Sequence, residues 1–588
     1  MSAGVGSRWA WPAWGAVGVA MHLGLVLYGL VPNLVVRPLH MAFALPWVFV
    51  AAAKTPAQAR SGAVWAALGM AACLWIASHS NALGDQYGFL EGDGQMALAV
   101  LLLLVVLEGA RRVIGWPLPL MAALALLYGL LGQHIPGEFG HAGTPLASFL
   151  GTLTIAEGGL WGSLTGVSVG VVAVFVIFGA LLNAGEAGQG FMNVASAAAG
   201  RLTGGAAKVS VLSSALFGSI SGSASANVAS TGAITMPAMT GLGYPKRLAA
   251  AVEAVASSGG QIMPPLMGAG AFVMVELTGT PYVDIMAAAT LPALLYFWTV
   301  WSGINAWNRR QPLAALPAES QPSRRTLWVT TGFFALPFAV LLWGMFGQHW
   351  TPEYAACVAT GVAALLLFVD ARGQVRRADW SARWLQALRN AGQQVAMIAT
   401  IILCASIIIG VLSITGLGVK ITSVILSGAQ GSLWLSLLLT AVACLVLGME
   451  VPTTAAYVIC VSVAGPALTR LGLEPLQVHL FVFWFALLST ITPPVCGAVF
   501  IAAGMVGEHW LRVALTAMAL GVGLYVVPLG VVVYPALIDW WDQPWMGLWA
   551  LLRMGLGLGI LSYALIGPWR LWQRLGGFGL GLAVALWA

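Results

Sequence analysis

The feature that most constrains this chain is a succession of apolar runs, separated by short segments that hold most of the charges. As a helix, an apolar run of about 20 residues spans the hydrocarbon core of a bilayer. Only 7% of the 588 residues are charged, whereas a soluble domain needs about 25%. This excludes a water-soluble enzyme, a disordered protein and a coiled coil. We predict an all-α integral membrane protein, with ordinary spans near 11–31, 34–53, 63–79, 95–109, 115–132, 165–183, 285–307, 326–347, 354–370, 393–414, 511–536 and 545–567.

The charges of the loops alternate along the first third of the chain. Basic loops carry Lys54 and Arg60, and later Arg111 and Arg112, while the loop between them is acidic. Because Lys and Arg accumulate on the cytoplasmic side, this pattern predicts a cytoplasmic N-terminus without a cleaved signal peptide, and an outer loop at 133–160. Arg37 falls in a predicted outer loop and is the exception. The basic residues are scattered, so we expect the bilayer as a partner and no nucleic acid.

Two interrupted motifs occur twice, in the same order. Residues 218–239 (GSISGSASANVASTGAITMPAM) and 257–272 (SSGGQIMPPLMGAGAF) are matched by 447–468 (LGMEVPTTAAYVICVSVAGPAL) and 487–504 (LLSTITPPVCGAVFIAAG). Glycine and proline break continuous helices. We therefore predict two repeats, each with a re-entrant helical hairpin and a broken helix, interrupted at Gly218, Pro264, Pro265, Pro452, Pro493 and Pro494.

The loop charges give the repeats opposite orientations. The first hairpin, 209–245, starts from the cytoplasm, whereas the second, 431–470, enters from outside. Inverted repeats with broken helices are typical of secondary transporters. The alternative is that small residues merely allow close helix packing, but the paired, inverted occurrence favours a transporter. The predicted divisions are an N-terminal membrane scaffold (1–160), the first repeat (161–310), a cytoplasmic linker with connecting spans and an Arg-rich segment (311–392), the second repeat (393–540) and a C-terminal span and tail (541–588).

Motifs for other chemistries are missing from the sequence. GRLTGGAAKVS (200–210) places Lys208 at the wrong distance for a nucleotide-binding loop, and GSISG has Ile220 where a hydrolase needs serine. The six cysteines are scattered without metal-ligand spacing, and the histidines form no HExxH motif. We expect no enzymatic activity, no cofactor and no metal beyond Na⁺ ions.

The runs SISGSASANVASTGAITMPAM, LGYPKRLAAAVEAVASSGGQIMPPLMGAGAF and ITPPVCGAVFIAAG closely resemble the large membrane subunit of tripartite ATP-independent periplasmic (TRAP) transporters. The resemblance covers about 160–536 and is closest to permeases with fused small and large subunits that work with a TAXI-type binding protein. It implies cation-coupled uptake of organic anions, usually carboxylates, handed over by a periplasmic substrate-binding protein. It also implies an elevator motion and a bacterial inner-membrane location.

The hairpins are nearly free of charge, so a bound carboxylate would meet hydroxyls, amides and helix N-termini. The expected substrate ligands are Ser221, Ser223, Ser225, Asn227, Ser258, Gln261, Thr453 and Thr454. Sodium would need five or six oxygens, which we expect from Gly222, Ser223, Asn227, Gly259, Gly260, Gly448 and Thr453. Small polar residues also cap hairpin tips in purely structural roles.

Two acids fall within the broken segments, Glu253 and Glu450. Ionisable residues at this depth are functional hypotheses by default, although a capping carboxylate or a packed hydrogen-bonding partner would also explain them. Tips in the resembling family more often carry a smaller uncharged residue at the position of Glu450. We therefore expect both acids to take part in coupling, with protons an alternative to sodium. Two further hypotheses stay open, a similar symporter without a binding protein and a channel.

Overall fold

The computed structural model describes residues 5–375, 380–449 and 451–587, and Glu450 lies outside the described residues. The N-terminal region forms seven helices, joined by short turns. They are α1 (Val5–Tyr28), α2 (Asn33–Pro46), α3 (Pro56–Ser78), α4 (Ser80–Gly84), α5 (Gly92–Ile114), α6 (Pro117–Leu131) and α7 (Leu146–Thr154).

Two segments with the same order of helices follow. The first contains α8 (Ser163–Val167), α9 (Ala173–Ala184), α10 (Ala187–Ala199), α11 (Gly205–Ser221), α12 (Ala224–Gly241), α13 (Lys246–Gly259), α14 (Ala269–Thr278) and α15 (Tyr282–Arg310). Two connecting helices are α16 (Arg324–Leu342) and α17 (Pro352–Leu366). The second contains α18 (Trp380–Thr415), α19 (Leu417–Gly428), α20 (Leu433–Leu447), α21 (Thr453–Arg470), α22 (Pro475–Leu488), α23 (Gly497–Val506), α24 (Trp510–Leu520) and α25 (Val522–Val533). The C-terminal helices are α26 (Pro544–Ile566) and α27 (Leu571–Leu586).

The described part of the chain has nine helical segments long and apolar enough to cross a membrane, or ten if α23 and α24, bent by 120°, count as one span. It contains no β-strand, and its only bridge pairs Val369 with Val375. The prediction of an all-α, multi-span membrane protein is confirmed.

The repeat is visible helix by helix. Hairpin α11–α12 corresponds to α20–α21, and the broken helix α13–α14 corresponds to α22–α23. Moved by 229 residues, the bounds of α13 coincide with those of α22. The Pro264-Pro265 and Pro493-Pro494 pairs lie in the two breaks, and both peptide bonds are cis. The short helix after each break packs on the hairpin and the broken helix of the other repeat. Helix α14 contacts α21 and α22, and helix α23 contacts α12 and α13. This reciprocity is the pattern of two repeats related by a pseudo-two-fold axis.

Polar contacts fix the N-terminal region to the first repeat. His22 and His40 are fully buried, with 2.7 Å between His22 Nε2 and His40 Nδ1. His40 Nε2 in turn lies 3.0 Å from Ser168 Oγ, in the π-helical turn that joins α8 to α9. α1 and α2 also pack on α18. The N-terminal region therefore holds the first long helix of both repeats.

Three local expectations differ from the structure. Arg37 lies within α2 rather than in a loop. Its guanidinium pairs with Glu157 (3.3 Å) and donates to the Trp161 carbonyl, which compensates its charge at this buried position, although Nε has no partner among the described residues. The predicted span 511–536 is divided at Gly521 into α24 and α25. The span predicted at 393–414 belongs to α18, whose described part is longer and covers the 36 residues from Trp380 to Thr415. No glycine or proline interrupts it before Gly392, and the helix continues through that residue.

Candidate functional site

A cavity of about 480 Å³ lies where the two hairpin tips and the two helix breaks meet α9 and α18. Each repeat contributes a tip and a break, so the cavity lies on the interface between the repeats. Hydroxyl groups line it on the hairpin side. The opposite wall is mostly apolar and includes Val172, Phe175 and Ile401. None of its described lining residues carries a charge.

Four helix N-termini open onto this cavity. The first residue of each helix that follows a break lines it, namely Ala224 of α12, Ala269 of α14, Thr453 of α21 and Gly497 of α23. The first turns of a helix leave backbone N–H groups without intrahelical acceptors, and the helix dipole places partial positive charge there. The arrangement is therefore suited to an anion without any basic side chain.

The first tip is shaped by Gly222. It ends α11 in the left-handed conformation, with φ of 61°, and a Cβ there would lie 3.0 Å from the Cα of Gly268. Ser223 follows and caps α12, since its Oγ accepts from the Ala226 N–H at 3.4 Å. Ser221, Gly222, Ser223 and Ser225 all line the cavity.

The second tip contributes Gly448, Pro452, Thr453 and Thr454 to the cavity. It is tied to the break of its own repeat, because Ser489 Oγ donates to the Gly448 carbonyl at 2.9 Å. In the first repeat, Gly218 and Gly260 approach at the equivalent place through their backbones. The predicted coupling residue Glu450, two positions after Gly448 in the sequence, lies outside the described residues.

Two side-chain amides on the cavity wall have unused hydrogen-bonding atoms. Gln261 is buried, and its Nε2 has no hydrogen-bond partner among the described residues. Asn183, near the end of α9, has a buried Oδ1 that no other described residue contacts by a hydrogen bond. Both residues line the cavity. A buried donor without a partner costs free energy unless a ligand satisfies it, so Gln261 is a candidate donor to a bound anion.

Several predicted site residues lie behind the cavity rather than on it. Asn227 is fully buried and donates its amide to the carbonyls of Ser214 (2.8 Å) and Ser257 (3.4 Å). Ser258 Oγ donates to the Ala254 carbonyl and lies 2.9 Å from Thr490 Oγ1. Gly259 packs on the ring of Tyr296. Of the oxygens expected for sodium, those of Gly222, Ser223, Gly448 and Thr453 belong to residues that line the cavity, and those of Asn227, Gly259 and Gly260 do not.

Glu253 lies deeper still and is fully buried in α13. Its carboxylate accepts hydrogen bonds from five hydroxyls, two on α11, two on α12 and one on α13. These are Ser210 (2.7 Å), Ser214 (2.9 Å), Thr231, Thr235 (2.5 Å) and Ser257 (3.1 Å). Glu253 thereby joins both arms of the first hairpin to the broken helix.

Part of the cavity lining was not predicted from the sequence. Ser489 and Thr490 fall within a recognised motif, and Ser219 and Ser230 flank the first tip, so their positions were available signals. Asn183 and Gln394 lie on otherwise ordinary apolar spans, where the sequence marks nothing. No group of three or more His, Cys, Asp or Glu residues able to hold a metal occurs in the described ranges.

Known proteins that are similar to this chain are transporter permeases. The family described as "Tripartite ATP-independent periplasmic transporter, DctM component" matches residues 101–546. The chain is 26% identical over 347 residues to the C4-dicarboxylate TRAP transporter large permease protein DctM of Pseudomonas aeruginosa, covering 57% of this chain and 77% of that protein. It is 24% identical over 417 residues to the isethionate TRAP transporter permease protein DctMQ of Oleidesulfovibrio alaskensis, covering 69% of this chain and 63% of that protein.

Among solved structures, the Alcanivorax borkumensis YdaH transporter aligns with a TM-score of 0.44 at 16% identity, over 76% of this chain and 99% of that chain. The family match covers more than half of the sequence and includes both hairpins and both breaks. The chain belongs to the tripartite ATP-independent periplasmic transporter family, as its DctM component.

Proposed function

We propose that this chain is the permease of a secondary active transporter that imports an organic anion across the bacterial inner membrane. The convergence of four helix N-termini on one cavity, whose described lining residues are uncharged, carries this proposal. The hydroxyls of Ser221, Ser223, Ser225, Thr453 and Thr454 and the free amide donor of Gln261 supply the directional hydrogen bonds. A carboxylate is the anion that such a donor set fits, and the DctM relative is named for C4-dicarboxylates.

The anion reaches the permease from a periplasmic substrate-binding protein of the TAXI type. Two observations support a fused permease as its docking partner. The family match begins at residue 101, and about 100 residues of additional membrane helices precede it. The isethionate relative carries the joint name DctMQ and aligns over 417 residues. The N-terminal region of this chain then acts as the small-subunit part.

The substrate crosses by an elevator motion. The moving body contains the two hairpins and the two broken helices. The fixed body contains α9 and α18, which the N-terminal region holds. The cavity lies on the surface between these bodies, with tip residues on one side and Val172, Phe175 and Ile401 on the other. A sliding motion along this surface would carry the cavity from one face of the membrane to the other.

The present arrangement corresponds to the inward-facing state. The cavity lining extends to Ile114, Asn183 and Gln394. Ile114 follows Arg111 and Arg112, and Gln394 follows an Arg-rich segment. Basic residues mark the cytoplasmic side when the N-terminus is cytoplasmic. The cavity therefore reaches toward the cytoplasm, which is where an imported anion has to leave.

Accumulation of the anion needs a sodium or proton gradient. Sodium would be held by backbone carbonyls at Gly222 and Gly448 together with the hydroxyls of Ser223 and Thr453. Protons would be held by carboxylates, for which the fully buried Glu253 and, from the sequence, Glu450 are the candidates. The two sources of energy make different demands, because only the first needs sodium in the external buffer.

The test is uptake of radiolabelled succinate into proteoliposomes that contain the purified permease, with and without its binding protein. We expect concentrative uptake under an inward cation gradient, and only when the binding protein is present. Equal uptake without the binding protein would favour the alternative, a binding-protein-independent symporter. Passive ion flux that does not depend on any organic acid would instead indicate a channel.

A further inference from the structure

A second cavity, the outer crevice, lies where the start of α15 meets the turn between α16 and α17. It has a volume of about 340 Å³, and α14 and the π-helical turn between α8 and α9 complete its wall. α16 begins at Arg324, and its helical segment continues for 24 residues to Gly347, about 36 Å, which is enough to cross the bilayer. In the proposed orientation the Arg324 end is cytoplasmic. The outer crevice therefore lies at the periplasmic side of the membrane.

Most of the lining of the outer crevice is apolar. Tyr282 presents its ring, because its hydroxyl donates to the carbonyls of Pro265 (2.6 Å) and Leu266 (2.9 Å). An apolar chain that covers such a surface gains free energy by removing it from water. The occupant of the crevice should therefore have an apolar part. The apolar lining residues are Val171, Val275, Pro281, Val283, Met345 and Pro352.

One carboxylate interrupts this apolar lining. Glu353 lies in the first turn of α17, and its Oε2 is buried without a hydrogen-bond partner among the described residues. The dipole of α17 favours a negative charge at this place but gives Oε2 no donor. Glu353 is also not needed as a helix cap, since Thr351 Oγ1 accepts from the Tyr354 N–H at 3.4 Å. Because a buried acceptor without a donor costs free energy, the carboxylate is a site for a ligand with N–H groups and positive charge.

An aromatic cluster adjoins the outer crevice and indicates its depth in the bilayer. Trp350 lines the crevice, and Trp343 and Tyr354 pack edge to face against it, with ring centroids 5.6 and 5.1 Å away. Trp343 and Tyr354 are exposed. Trp and Tyr concentrate where lipid headgroups meet the hydrocarbon core. A molecule in the crevice can therefore place a charged group at headgroup level and an apolar chain below it.

The two polar lining residues narrow the chemistry of this molecule. His349 is exposed and can donate a ring N–H to an acceptor oxygen, while Glu353 needs a cationic donor. An ethanolamine phospholipid has an ammonium, phosphate oxygens and apolar chains in one molecule. A choline headgroup has the same charge but no N–H group to donate. A glycerol headgroup has no ammonium, so the charge of its phosphate is left uncompensated and is repelled by Glu353.

We propose that the outer crevice binds one phospholipid with a primary-ammonium headgroup. The ammonium donates to Glu353 Oε2, a phosphate oxygen accepts from His349, and part of an acyl chain covers the apolar lining. This binding site goes beyond the proposed function. Val275 belongs to α14 of the moving body, and Val171 belongs to the turn that leads into α9 of the fixed body. A lipid in contact with both would stabilise their present arrangement, a consequence that rests on the proposed elevator.

The test is native mass spectrometry of the full chain, delipidated in detergent and then mixed with phosphatidylethanolamine, phosphatidylcholine and phosphatidylglycerol that have identical acyl chains. We expect one phosphatidylethanolamine per chain to be retained about tenfold more strongly than the other two, the scale of one hydrogen bond to a charged group. Glu353→Gln should abolish this preference. Glu138→Gln, which removes an exposed carboxylate of the outer loop, is the matched control and should keep it. Equal retention of the three lipids by the wild type, or a preference that persists in Glu353→Gln, would overturn the proposal.

Val283→Trp is the second variant, since it fills the outer crevice and leaves Glu353 in place. It should release the retained lipid, and unchanged retention would place that lipid elsewhere and overturn the proposal. An excess of glycerophosphoethanolamine, the headgroup without chains, should not displace the lipid from the wild type. Displacement would assign the site to a soluble amine instead. Lipid retention is measured without transport, so a permease that takes up no organic acid would contradict only the proposed function.

Discussion

Ser258 Oγ lies 2.9 Å from Thr490 Oγ1, and this hydrogen bond joins the broken helix of the first repeat to that of the second. Ser258 is fully buried near the end of α13, and Thr490 follows α22 and lines the cavity. The two breaks are therefore linked directly beneath the place where the four helix N-termini meet. Both breaks belong to the moving body of the proposed elevator, and this bond would hold them together during the motion.

Removal of this bond should cost stability without unfolding the permease. Thr490 Oγ1 also donates to the Leu487 carbonyl, so it keeps a partner when Ser258 is replaced. We expect Ser258→Ala and Thr490→Val each to lower the free energy of unfolding by about 1 kcal/mol, measured in detergent. The double variant should lose less than the sum of the single losses, with a coupling of about 0.5–1 kcal/mol. Strictly additive losses would show that the two hydroxyls do not interact.

The shape of the first tip should depend on Gly222. Gly222→Ala places a side chain at positive φ, which costs about 1–2 kcal/mol, and sets its Cβ 3.0 Å from the Cα of Gly268. Gly243→Ala is the matched control, because its φ is 84° and nothing lies within 4 Å of the added Cβ. We expect both variants to lose stability, but only Gly222→Ala to lose uptake, by about tenfold or more. Equal uptake in the two variants would show that the close approach of Gly222 to Gly268 is not needed for transport.

The free amide donor of Gln261 should contribute to anion affinity. Gln261→Glu replaces a donor with a carboxylate in a cavity that has no described charged lining. We expect KM for the transported acid to rise at least about tenfold, since like charges repel strongly in a site of low dielectric. Ser230→Ala, at the edge of the same cavity, should change KM less than about threefold, the scale of one exposed hydrogen bond. An unchanged KM in Gln261→Glu would show that the transported anion does not bind beside this side chain.

The loop before α26 gives a pH-dependent prediction. Partial burial, with the nearby carboxylates of Asp542 and Glu474, raises the pKa of Asp539. Because the pKa is higher in the folded state, the ionised carboxylate destabilises the fold at neutral pH, and this loss disappears as pH falls below the ordinary pKa of about 3.9. Asp539→Asn should therefore raise Tm at pH 7 by the equivalent of less than about 1 kcal/mol.

The control for that prediction is Asp85→Asn, at an exposed carboxylate in the loop before α5. It should leave Tm unchanged at pH 7. The gain from Asp539→Asn should shrink as the pH is lowered toward 3.9. If the increase in Tm became larger on acidification, charge repulsion between the carboxylates of this loop would be contradicted.

The sequence was sufficient for the repeated architecture, because glycine and proline break helices through local sterics that do not depend on tertiary structure. It was insufficient for the division between residues that line the cavity and residues behind it. Asn227 and Ser223 are four positions apart on the same hairpin, yet one supports the tip and the other faces the cavity. Such a division depends on packing between α11, α12 and α13, which no local pattern records.

The surroundings of Glu253 also depend on helix packing that the sequence does not reveal. Its burial was predictable from the apolar segment, and the spacing of Ser210, Ser214, Thr231 and Thr235 at four-residue intervals was visible in the sequence. The two pairs face the same carboxylate only because both arms of the hairpin pack on α13. Asn183 and Gln394 were missed for a related reason, since the cavity extends to the fixed helices on the opposite side.

The most direct test of the account compares an organic acid with its uncharged amide. The acid should be the one that co-purifies with the periplasmic binding protein, identified by mass spectrometry. If the four helix N-termini bind an anion, excess unlabelled acid should inhibit counterflow of the labelled acid through the reconstituted permease. Its isosteric diamide should inhibit at least about 100-fold more weakly, because the N–H groups favour negative charge by a few kcal/mol in a dry site. Equal inhibition by the diamide would contradict the central claim.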